Sequence, residues 1–176
     1  KMSASTYSIR PAEYADYESL FIGLDLTDYS EIIIYHAFAA DEILMNTLSM
    51  QERLEYGFLS MSCLIKALLN QKFRCAVKIG YVYARRQNFL QPENEMVSGM
   101  CKSVPYLNHK CAITTIAADL SVQDKTMINR IILELLAKEA SEPKQIWLNE
   151  KGRFQKNIIK VTIAKCNALT CFQAGD

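Results

Sequence analysis

Three apolar runs rich in β-branched residues, "EIIIYHAFA", "RCAVKIGYVYA" and "CAITTIAADL", are separated by stretches with helical periodicity. Strands that alternate with helices pair in parallel through crossover connections, because a parallel neighbour cannot be reached by a tight turn. The pattern therefore predicts an α/β chain: a truncated Rossmann-like fold with a mostly parallel sheet, right-handed crossovers and helices on both faces. Residues 31–39 are nearly continuous in apolar character, which predicts a strand covered on both sides. In "DEILMNTLSMQERLEYGFLSMSCLIKALLNQ" the stripe Leu54, Phe58, Met61, Ile65 and Leu68 predicts a long helix, with a break near 46–49. A first helix follows "TYSIRP", with Tyr17, Leu20, Phe21 and Leu24 inward. A short helix starts near Pro92 and ends at Pro105, where a ring without an N–H interrupts the hydrogen-bond ladder. The last helix covers 123–140, with Met127, Ile128, Ile131, Ile132, Leu135 and Leu136 inward. "QIWLN" and "RFQKNIIKVTIA" flank the turn "EKG" as a hairpin or a pair of edge strands.

At 176 residues the chain reads as one domain, 1–176, with a core of about 5–164 and a tail or linker from 165. A formal net charge of +1 gives no strong field toward nucleic acid or an acidic membrane. The longest uncharged apolar run, residues 32–40, is far short of the roughly 20 residues of a membrane helix. No signal-peptide pattern opens the sequence, and a cytoplasmic location is expected. Cys63, Cys75, Cys101, Cys111, Cys166 and Cys171 form no CxxC pair; the first, second and fourth sit in apolar segments and read as reduced, structural thiols.

The glycines, Gly23, Gly57, Gly80, Gly99, Gly152 and Gly175, lie at least 19 positions apart. Neither GxGxxG nor a Walker-type phosphate loop is present, so the backbone has no glycine-lined turn against which a pyrophosphate packs. "YLNHK" matches YxxxK, the spacing of a tyrosine–lysine proton-donor pair, Tyr106 and Lys110, but Pro105 predicts a loop there. His36 lies in an apolar strand and reads as a core histidine. Cys101, His109 and Cys111 lack a fourth metal ligand and a known spacing. Arg85 and Arg86 follow the second strand, where a phosphate would meet the sheet, and also suit a solvated loop. Asp16, Glu18, Asp25, Asp28 and Glu31 are scattered surface carboxylates, and Trp147 alternates with Ile146 and Leu148 as a packing residue. No catalytic, cofactor-binding or metal residue is assigned.

Several segments in order resemble the structural subdomain of a modular polyketide synthase ketoreductase: "TYSIRPAEYADYESLF", "EIIIYHAFAADE", "YGFLSMSCLIKALLNQ", "MVSGMCKSVPYLNHKCAITTIAADL" and "LELLAKEASEPKQIWLNEKGRFQKNI". The resemblance runs from about Tyr7 to Ile163. It implies a non-catalytic Rossmann-like half that binds no cofactor and braces an NADPH-dependent catalytic half, or another domain of the same synthase. That setting is a multienzyme of antibiotic biosynthesis working on phosphopantetheine-borne chains. Val104 stands near the position of an acid usual in the family, and "KIGYVYA" lacks its threonine-rich strand end; these departures leave two settings open, beside an active ketoreductase or as a degenerate pseudo-ketoreductase serving a neighbouring domain. The residues 153–163 are the expected docking edge. Two alternatives remain at this point: a stand-alone protein-interaction module, and a small oxidoreductase using Tyr106 and Lys110.

Overall fold

A computed structural model describes residues 6–24, 26, 29–85, 91–119, 125–137 and 143–157. Its elements run α1 (Tyr14–Leu24), β1 (Glu31–Ala39), α2 (Glu42–Thr47), α3 (Met50–Leu54), a π-helical turn (Glu55–Leu59), α4 (Ser60–Leu69), β2 (Ala76–Ala84), α5 (Pro92–Leu107), β3 (Cys111–Ala118), α6 (Lys125–Leu136), β4 (Lys144–Asn149) and β5 (Gly152–Gln155). The five strands form one sheet in the order β1-β2-β3-β4-β5, parallel except for the final antiparallel pair. The expected α/β, Rossmann-like architecture is present.

Alternation along β2 divides the core in two. Val77, Ile79, Tyr81 and Tyr83 join residues of α1, α4 and α5 on one face. Val82 joins Ile116, Ala118, Met127, Ile131, Leu135, Ile146 and Leu148 under α6 on the other. Gly80 lies on this second face, and a Cβ there would meet Leu135 Cδ2 at 2.6 Å, so the glycine lets α6 approach the strand closely.

This arrangement corrects the expectation about crossover hand. The chain steps in one direction from β1 to β4, yet α5 crosses one face and α6 the opposite face. Two such units stepping the same way on opposite faces have opposite hands, so right-handedness does not hold throughout. The expectation for β1 is corrected too. As an edge strand beyond the reach of α6, it is covered on one side only, and Ile33 and Tyr35 are exposed on the other.

The long segment before β2 breaks where expected, at Leu48–Ser49, and Ser49 and Glu52 form a reciprocal capping box at the start of α3. The π-helical turn that follows was not foreseen. It adds a residue to the helical repeat before α4, whose Met61, Leu64, Ile65 and Leu68 are buried. Helix α5 begins at Pro92 as expected but runs 16 residues and carries Pro105 inside it, ending at Leu107. The missing N–H falls in the last turn, where one lost bond does not unwind the helix. In α6 only Met127, Ile131 and Leu135 are buried; Ile128, Ile132 and Leu136 are exposed, because the helix covers β2 to β4 but not β1. The expected hairpin forms between β4 and β5. Asn149 Oδ1 accepts from the backbone N–H of Lys151 and Gly152, and Gly152 takes φ +148°, a conformation that side chains disfavour. Of the expected docking edge, Arg153, Phe154 and Gln155 are exposed in β5, and 158–163 lies outside the described residues.

Candidate functional site

In open α/β sheets, ligands gather at the carboxyl ends of the strands, where connections leave toward opposite faces. Here the chain leaves β2 toward α5 on one face and β3 toward α6 on the other. The strand ladder extends one residue past both strands: Arg85 N–H donates to Ala118 O at 2.8 Å, and Asp119 N–H to Leu148 O at 3.0 Å. These bonds fix the backbones from which the Arg85 and Asp119 side chains emerge. Between them the Arg85 guanidinium lies over the Trp147 ring, 3.6 Å from its centroid. Phe154 of β5 packs on Trp147 at 5.0 Å, and the indole Nε1–H donates to Asp119 Oδ1 at 3.3 Å.

Two clefts flank this stack. The larger, about 490 Å³, is lined among others by Tyr83, Arg85, Glu95, Trp147, Phe154 and Lys156. Glu95 accepts there from Gln145 at 2.7 Å and from Lys156 at 3.1 Å. Although burial acts to raise its pKa, those two contacts hold the Glu95 carboxyl below its ordinary value. The smaller cleft, about 480 Å³, is lined by Arg85, Asp119, Trp147, Asn149, Glu150, Lys151 and Phe154. Sequence reasoning weighed a phosphate contact for Arg85 against a solvated loop, assigned no binding residue, and read Trp147 as packing. Trp147 stands within β4, paired in register with Ala117 and Phe154, so no local signal sets it apart from a packing residue.

The turn after β1, at the edge of the sheet, leads into the six-residue α2. Asp41 occupies it, capping α2 by accepting from Leu44 N–H at 2.9 Å. A carboxylate at this position uses one of the free helix donors and repels a second anion.

The other residues singled out in the sequence are not brought together. Tyr106 is 91% exposed in the last turn of α5, while Lys110 Nζ donates to Arg74 O at 3.0 Å at the amino end of β3, opposite the crevice. No hydrogen bond among the described residues joins the two. His36 is buried; its Nε2 lies 2.6 Å from Ser60 Oγ, which itself donates to Tyr56 O. Burial pushes its pKa down to about 4. Cys101 and Cys111 are buried, with thiols pushed up by that burial to about 12 and about 11, far from the thiolate that nucleophilic chemistry requires. His109 lies in the turn before β3, and no grouping of three or more potential metal ligands occurs among the described residues. Asp16 is held by Arg10 and its carboxyl drops to about 2, Glu18 accepts from Tyr14, and Glu31 pairs with Lys78. Asp25, Asp28, Arg86, Cys166 and Cys171 lie outside the described residues. No helix among the described residues is long and apolar enough to cross a membrane.

Residues 1–139 match the model of a family described as beta-ketoacyl synthase-like, N-terminal. Four chains of known structure also match. One is described as an adenylation, ketoreductase, and pseudo Asub multidomain structure of a keto acid-selecting NRPS module. It is similar over 81% of this chain, with a TM-score of 0.60 and 17% identity, and this chain spans 12% of its length. At that identity the likeness shows the fold. No curated protein matches.

Proposed function

The chain belongs to the beta-ketoacyl synthase-like, N-terminal family, and on that premise we propose that it is a non-catalytic structural segment of a modular synthase. In this reading it braces the NADPH-dependent catalytic half of a ketoreductase region, or a neighbouring domain of the same multienzyme. The observation that carries the reading is the glycine spacing: the six glycines lie at least 19 positions apart, so the sequence holds no glycine-lined turn against which a diphosphate packs. The buried, unionised thiols of Cys101 and Cys111 offer no nucleophile for acyl transfer. A sheet whose edge strand β1 shows Ile33 and Tyr35, beside a helix showing Ile128, Ile132 and Leu136, has apolar surface suited to a neighbouring domain.

The test is NADPH binding, followed by calorimetry and by nicotinamide fluorescence on the 176-residue chain. No saturable binding and no turnover of a β-ketoacyl thioester mimic are expected. Tight binding of NADPH would overturn the reading. The sequence that follows in the parent gene is a second check, since a glycine-rich strand turn there supplies the cofactor site missing here.

A further inference from the structure

We propose that Arg85 anchors an oxyanion-binding site, for a phosphate or carboxylate, in the larger cleft at the carboxyl ends of β2, β3 and β4. The inference goes beyond the scaffold reading and does not rest on it. Four observations carry it.

The first is position. The cleft opens beside the carboxyl end of β2, on the face that α5 covers, between the start of α5 and the β4–β5 hairpin, and the carboxyl edge is where open α/β sheets hold their ligands. The second is orientation. Stacking at 3.6 Å on Trp147 fixes the plane of the guanidinium, so its N–H edge is aimed before a ligand arrives. The backbone bond from Arg85 to Ala118 holds the base of the side chain in place.

The third is the absence of a partner. Two cations of the β4–β5 hairpin side are committed: Lys156 to Glu95 and Arg153 to Glu134. Among the described residues no carboxylate forms an ion pair with Arg85. Asp119, which lines the smaller cleft with Arg85, accepts instead from the Trp147 indole. The fourth is charge. Among the described lining residues, Arg85 and Lys156 against Glu95 leave the larger cleft with one positive charge in excess, whereas Arg85 and Lys151 balance Asp119 and Glu150 in the smaller. An oxyanion therefore enters the larger cleft, where the Arg85 fork offers two parallel N–H donors and Trp147 and Phe154 offer an apolar wall for the rest of the molecule.

Inorganic phosphate and succinate, titrated separately into the 176-residue chain at low ionic strength, test the site by calorimetry. Trp147, the only tryptophan, provides a second readout, because its fluorescence responds to whatever changes the stacked guanidinium. Saturable binding of at least one anion is expected, and phosphate alone or succinate alone identifies the class. Arg85→Gln should weaken it by about tenfold or more, the loss of a charge-assisted hydrogen-bonded pair. Arg85→Lys keeps the charge without the fork and should weaken it less. Lys151→Gln, in the smaller cleft, should leave the affinity within about twofold, as surface charges outside the site do. Circular dichroism checks that each variant is folded, and should Arg85→Gln unfold, the Lys variant carries the comparison. No saturable binding by the parent chain, or equal affinity in a folded Arg85 variant, would overturn the site. That result would leave the scaffold reading standing, and NADPH binding that persists in Arg85→Gln would overturn the scaffold reading without touching this one.

Discussion

His36 shows how a residue identity was legible while its consequence was not. Its place in "EIIIYHAFA" marked a core histidine, and the structure buries it against Ser60, Phe38 and Tyr81. Because Ser60 Oγ donates to Tyr56 O, the ring donates from Nε2, and Nδ1 is left as a buried acceptor without a partner. Burial therefore favours the neutral ring, and the pKa falls from 6.5 to about 4. The unfolded chain binds the proton more readily, so the contribution to stability is complete above about pH 6.5 and is lost as pH falls toward 4. The expected slope is on the order of 1 kcal/mol per pH unit across that window. Urea unfolding at pH 7, 6, 5 and 4 measures it. His36→Phe should flatten this part of the profile, and an unchanged slope would reject the assignment.

At the scale of elements, local chemistry decided what periodicity could not. The break expected near 46–49 is made by Ser49 and Glu52, which stand three apart and form the box that starts α3. Ser49→Ala is expected to cost about 1 kcal/mol, read from the denaturation midpoint, with Ser49→Thr retaining most of the stability. The π-helical turn left no comparable trace, since its sequence, "EYGFL", is compatible with an ordinary helix. What places it is contact: Gly57 sits so near the Tyr81 hydroxyl that a Cβ would lie 2.8 Å from it, and that hydroxyl donates to Asn94 at 2.6 Å. Pro105 failed as a stop signal for a similar reason. Its missing N–H is one of few bonds left in the last turn, and Asn108 instead ends α5 by leaving helical geometry.

The whole molecule is organised by which face each connection crosses. Apolar stripes on α6 and along β1 predicted complete burial, yet three of the six residues named on α6 are exposed, as are Ile33 and Tyr35. They are the uncovered part of one layer, and their exposure supports the proposal that a neighbouring domain docks there. The double substitution Ile128→Lys, Ile132→Glu should change the unfolding free energy by no more than about 1 kcal/mol, since both side chains are exposed. The same protein should bind less of an apolar dye such as ANS; equal dye binding would place the accessible apolar surface elsewhere. Sequence by itself determined the strands, the helices between them, the parallel sheet and the lack of a glycine phosphate loop, because each follows from a local period or the identity of a few neighbouring residues. Only tertiary structure decided that α6 crosses the opposite face from α5, that β1 is half-covered and that Arg85 meets Trp147. Those outcomes depend on residues far apart in the chain arriving at one sheet edge, and no local period encodes which face a crossover takes.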